Sequence, residues 1–162
     1  MNPETLKSKQ AVVDGLVSTM KESQELVIVE YRGLSVAEIS ELRKSLKEVG
    51  ASFSVYKNTL VQRANDSLGH QELDQYLSGS NAYVFSNDIT GAPKVLAKFA
   101  KRHENLVLKA GLVEGRVITG EEVKALAKIP GREGLISMFL SCLQAPIRSF
   151  ACTVKAVADK NA

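Results

Sequence analysis

Over about the first 130 residues, short β-branched runs alternate with apolar stripes at helical spacing, and beyond Pro130 the strand pattern stops. This alternation constrains the fold more than any other feature. Strands and helices that follow one another in turn bury their apolar faces as layers of one α/β domain.

The first stripe, Leu6, Val13, Leu16, Val17 and Met20, marks a helix with Pro3 at its first position and Asn2 as its cap. Residues 26–31 read as a strand, with Gly33 in the turn after it. Ser35 and Glu38 form a capping box for a helix that buries Ile39, Leu42, Leu46 and Val49 and stops at Gly50. Residues 52–56 read as a strand, and a helix begins near Asn58-Thr59. Ser78-Gly79-Ser80-Asn81 is a turn, residues 82–85 a strand, 93–102 a helix and 106–113 a strand. Gly115 turns the chain into the extended pair Val117-Ile118, and Thr119 with Glu122 caps a helix ending before Pro130. The expected layout is a single alternating α/β N-terminal domain over residues 1–130. An extended amphipathic helical segment follows over 131–162, with a hinge at Pro130-Gly131 and Pro146 interrupting one broken helix or separating two.

Composition narrows the functional classes. With 162 residues and 44% hydrophobic content, the chain can build one domain with an appendage. The longest apolar runs, such as Leu26-Val27-Ile28-Val29, are of strand length, so no membrane span is expected. Met1-Asn2-Pro3-Glu4 lacks the layout of a secretory signal, and cytoplasm is the expected compartment. Cys142, Cys152, His70 and His103 have no metal-ligand spacing, so neither metal nor cofactor is expected. The net charge of +3 admits a polyanion partner without demanding one, and residues 1–65 hold nine Lys/Arg against eight Asp/Glu. Local placement of charge has to decide.

Two strings are chemically suggestive. Tyr31-Arg32-Gly33-Leu34 ends the first strand, where an Arg fork beside a glycine suits a phosphate or a base edge. Lys57-Asn58-Thr59 ends the second strand where a helix starts, and free amides there favour an anion. Both could lie at one edge of the sheet. The plainer readings are a polar turn at Arg32-Gly33 and a helix cap at Asn58 or Thr59. Lys7, Lys9 and Arg63 add cations that pattern alone reads as solvated helix faces. Catalytic constellations are missing: there is no Gly-rich phosphate loop, and neither histidine is near Ser78-Gly79-Ser80-Asn81 in sequence. An enzyme is not expected.

Along the tail, Ile147, Phe150, Ala151, Val154, Val157 and Ala158 recur in steps of three and four, opposite Arg148, Lys155 and Asp159. Such a stripe either packs back on its own domain or is offered to partners. A membrane-surface helix is disfavoured by the few cations and the absence of Trp.

Taken together, these strings resemble the family of bacterial large-subunit ribosomal protein ten, the stalk-base protein. The resemblance runs over essentially the whole chain. Besides Tyr31-Arg32-Gly33-Leu34 it rests on Glu41-Leu42-Arg43, Lys57-Asn58-Thr59-Leu60 with Arg63-Ala64, and Phe99-Ala100-Lys101. Leu126-Ala127, Arg132-Glu133 and Leu143-Gln144-Ala145-Pro146-Ile147 complete it. It implies a non-catalytic, ribosome-bound scaffold. The N-terminal domain would bind large-subunit ribosomal RNA beside ribosomal protein eleven, with Lys7, Lys9, Arg32, Gly33, Lys57, Asn58, Thr59 and Arg63 toward the RNA. The stripe from Ile147 to Ala158 would tether dimers of the acidic stalk protein, seven/twelve, which recruit translational GTPases. Some relatives also repress translation of their own messenger RNA, a secondary activity of the same surface. This chain has Gly79-Ser80-Asn81 where the family usually has a Gly-Pro-Thr-like turn, and its short tail favours two stalk dimers over three. The competing classes are a small α/β module that self-associates through its tail without touching RNA and, last, a small phosphotransferase.

Overall fold

The computed structural model describes residues 3–161, so the expected cap Asn2 lies outside the described residues, as does the side chain of Leu6. The chain divides into two units, Met1–Lys128 and Ile129–Ala162. In the first, α1 (Pro3–Glu22) leads to β1 (Glu25–Glu30), α2 (Val36–Glu48), β2 (Ser52–Ser54) and α3 (Asn58–Leu68). A 3-10 helix (Gln71–Tyr76), β3 (Asn81–Ser86), α4 (Gly91–Ala100), β4 (Val107–Val113), β5 (Arg116–Thr119) and α5 (Gly120–Leu126) follow. The second unit contains one helix, α6 (Arg132–Asn161).

The five strands form one sheet in the order β2-β3-β1-β4-β5, and every neighbouring pair is antiparallel. β1 lies in the middle and is covered on both faces, which is why Leu26-Val27-Ile28-Val29 is continuously apolar rather than alternating. On one face, Leu26, Ile28, Tyr83 and Phe85 pack with Leu16 and Met20 of α1 and Val61 and Ala64 of α3. On the other, Val27, Val29, Ala82 and Val84 meet Leu42 and Leu46 of α2, Leu96 and Phe99 of α4 and Val123 of α5. Two separate apolar layers therefore sandwich the sheet.

Both capping boxes form. The Ser35 backbone amide donates to Glu38 Oε2 at 2.6 Å and the Thr119 amide to Glu122 Oε2 at 2.7 Å, and these bonds hold both carboxyls below the usual carboxylate range. Other boundaries shift. β2 is only three residues long, because it is an edge strand whose register with β3 ends at Ser54. Ile39 and Val49, expected in the core, are half-buried at the margins of α2.

Pro146 interrupts nothing: α6 continues through it as one 30-residue helix. A proline has no N–H to give the preceding turn, so one internal hydrogen bond is lost while the rest of the helix continues. Joining the segments on either side of Pro146 also gives an apolar stretch longer than the strand-length runs. Residues Arg132–Lys160 make a helix long and apolar enough, by length and composition, to cross a membrane.

Candidate nucleic-acid interface and terminal helix

The two strings flagged in the sequence come to the same end of the sheet. β1 and β2 both run antiparallel to β3, so their carboxyl ends point the same way, with Glu30 opposite Asn81 and Ser54 opposite Tyr83. β3 lies between them, so the loops that follow are brought together across the turn at Ser78-Gly79-Ser80.

After β1, the Leu34 amide donates to the Tyr31 carbonyl at 3.2 Å, closing a tight turn with Arg32 exposed at its corner. Gly33 has φ +93°, a conformation that costs a residue with a side chain, and Asn105 Nδ2 donates to its carbonyl at 3.1 Å. The Arg32 guanidinium is thus carried on a turn fixed by its own hydrogen bond and by Asn105 from the loop ahead of β4. After β2, exposed Lys57 occupies the cap position of α3 without capping it through its side chain, and Thr59 is exposed in the first turn. The first amides of α3 therefore remain available.

Asn58 is not the cap of α3, a position that Lys57 holds. Its Nδ2 donates to the Gly79 carbonyl at 2.9 Å, and its Oδ1 accepts from the Tyr83 hydroxyl at 3.1 Å. Both ends of the amide are bonded within the protein, so Asn58 positions the turn. Lys109 supports the same turn and went unnoticed in the sequence. Where β4 slips register against β1 between Ile28 and Val29, Lys109 is the extra residue. Its Nζ lies 2.7 Å from Glu30 Oε2 and donates to the Ser78 carbonyl at 2.6 Å. Its only sequence signal is a lone cation within an apolar strand run.

Lys7 and Lys9 belong to this end as well. The carboxyl end of α1 (Met20, Lys21) and that of α3 (Leu68) line one pocket with the β4–β5 turn, far from the 78–80 turn. The two helices therefore run the same way, and both their amino ends point to the end that holds Arg32 and Lys57. Lys7 and Lys9 are exposed on the first turns of α1, and Arg63 is exposed midway along α3. Aligned helix amino ends add partial positive charge to that of the side chains.

In the second unit the apolar stripe is longer than the sequence reading made it. Ile136, Leu140, Leu143, Ile147, Phe150, Val154 and Val157 follow one another in alternating steps of four and three, and all are exposed. Phe150 is 72% exposed and Ile147 74%. Ala151 and Ala158 are exposed on the same helix. A single helix has no second element of its own to cover such a stripe.

The ribosomal protein L10 family model matches residues 4–101, and the model of the uL10 carboxyl-terminal region matches residues 129–162. The chain belongs to the ribosomal protein L10 family. It is 52% identical over 157 residues to the large ribosomal subunit protein uL10 of Bacillus licheniformis, covering 96% of this chain and 95% of that one. The uL10 protein of Bacillus cereus is 51% identical over 159 residues, covering 98% and 96%. As an L10 family member the chain is a structural component of the large ribosomal subunit, bound to ribosomes in the bacterial cytoplasm, and not an enzyme. This membership also removes the reason to assign α6 to a membrane.

Proposed function

We propose that this L10 protein is a two-part scaffold. The end of the sheet carrying Lys7, Lys9, Arg32, Gly33, Lys57, Thr59 and Arg63 holds large-subunit ribosomal RNA, next to ribosomal protein eleven. Helix α6 tethers dimers of the acidic stalk protein. The observation that carries this reading is the exposed stripe of α6, spaced in heptads from Ile136 to Val157. Heptad spacing is the pattern by which one helix packs against other helices. The stripe extends to both sides of Pro146, which supports two dimers, one on each half. Repression of the protein's own messenger RNA would use the same RNA-binding end.

The RNA half is tested by salt. Arg32→Ala and Lys57→Ala remove exposed cations and leave the core intact. Each is expected to weaken binding to a large-subunit RNA fragment and to flatten the dependence of log K on log salt by about 0.7–0.9. Filter binding over a salt series measures this. A slope unchanged in both variants would mean that these side chains do not neutralise phosphate.

A further inference from the structure

Apart from the end of the sheet and α6, a cluster of cations lines a groove between α4, α5 and the start of β4. Its volume is about 710 Å³. Lys94, Lys98, Lys101, Lys124 and Lys128 line it, opposed by a single carboxylate, Glu104. That local excess of four positive charges is larger than the +3 of the whole chain. Lys94, Lys98 and Lys101 follow at four and three residues and so share one face of α4, while Lys124 and Lys128 are four apart on α5 and the turn after it. Among the described residues none of the five is in an ion pair. Lys98 and Lys124 are in the last turns of their helices, Lys101 is the cap of α4 and Lys128 follows the cap of α5. Two helix carboxyl ends, where the macrodipole favours a cation, thus converge on one groove, and Lys94 adds a fifth charge.

The groove is not merely cationic. Ala97, Ala100, Leu106, Leu108 and Ala127 give it an apolar lining, and three of these are small enough to let another chain approach closely. A phosphodiester strand would match the lysines, but the lining has no aromatic side chain on which its bases could stack. A polypeptide bearing both carboxylates and aliphatic side chains matches both.

We propose that this groove is a docking site for an acidic amphipathic polypeptide segment, which seats its aliphatic side chains between α4 and α5 and its carboxylates against the lysines. Its lining shares no residue with the proposed RNA-binding set or with the stripe of α6.

Fluorescence anisotropy with the full-length chain tests it. The probe is a labelled 16-residue peptide of Glu and Leu at helical spacing, with a Gln-for-Glu peptide and a short RNA duplex as comparisons. The acidic peptide should bind and the Gln peptide should bind far more weakly. Lys98→Glu combined with Lys124→Glu should weaken the acidic peptide by more than about tenfold, while Lys98→Arg with Lys124→Arg retains it. Circular dichroism of each variant confirms the fold, and both lysines are exposed. Peptide binding that survives the double reversal would lie elsewhere, on α6, and would overturn the proposal. So would failure of the peptide to bind, or a double reversal that weakens only the RNA duplex, which would make the groove a nucleic-acid surface.

Discussion

Phe150→Asp is expected to weaken the hold of this L10 protein on the stalk-protein dimer seated on the carboxyl-terminal half of α6 by roughly 3–5 kcal/mol, a loss of at least about a hundredfold in affinity at that site. Phe150 is 72% exposed and sits in the middle of the carboxyl-terminal half of the α6 stripe. Burying a Phe side chain in a partner gives about 1.5–3 kcal/mol, and the substitution removes that. It also asks the acidic partner to bury an unpaired carboxylate. Because the side chain contributes nothing to either apolar layer around the sheet, the unfolding of the first unit should not change. A control on the opposite face, Lys155→Ser, should have little effect. Isothermal titration with the stalk dimer reads the difference, and equal affinities at both sites for Phe150→Asp and the unmodified chain would remove the carboxyl-terminal half of α6 as a tether.

The second large effect concerns stability and its response to pH. Glu25 opens the central strand, is 1% exposed, and neither carboxylate oxygen has a hydrogen-bond partner among the described residues. Burial, with a smaller contribution from the charge of Asp88, pushes its pKa up to about 8. In the folded protein Glu25 is therefore protonated at neutral pH, whereas in the unfolded chain it ionises in the ordinary carboxylate range. The native state binds the extra proton between these limits, so this group's contribution is fully present below the unfolded pKa. It is lost as pH rises toward about 8. Glu25→Gln abolishes the dependence. It should raise stability by about 3 kcal/mol at pH 7 and by little at pH 5. Urea midpoints across pH 5–8 provide the check. Curves for the two proteins that run parallel would show that Glu25 titrates alike in the folded and unfolded states.

Much of the fold was legible because local chemistry and tertiary packing agree. The capping boxes at Ser35 and Thr119 mark true helix starts, since each satisfies amides that any helix start leaves free. The run Leu26-Val27-Ile28-Val29 was legible as a strand, and the structure adds that it is covered on both faces. The antiparallel sense of every pairing was not legible, because alternation of elements does not record which strands become neighbours. The 3-10 helix at Gln71–Tyr76 was missed: it buries only Leu73, too little to set a period.

The candidate RNA-binding end follows the same division. Arg32 and Lys57 could be chosen by residue type and by position after a strand. That Asn58 faces inward depends on Gly79 and Tyr83, residues 21 and 25 positions away, and only folding brings them to it. Lys109 is aimed by a register slip that no local pattern encodes. In α6 the proline misled: reading Pro146 as a break hid the heptad spacing that extends from Ile136 to Val157. The lysine groove needs α4, α5 and β4 side by side, and so exists only in three dimensions.

Native mass spectrometry of three chains with excess stalk protein, each then titrated with the large-subunit RNA fragment, tests the division of labour most directly. The first unit contains both apolar layers within Met1–Lys128 and should fold without α6. The full chain should carry two stalk dimers, a chain ending at Pro146 one, and a chain ending at Lys128 none, with RNA affinity the same in all three. A folded chain ending at Lys128 that still captures stalk dimers, or that has lost the RNA, would contradict it.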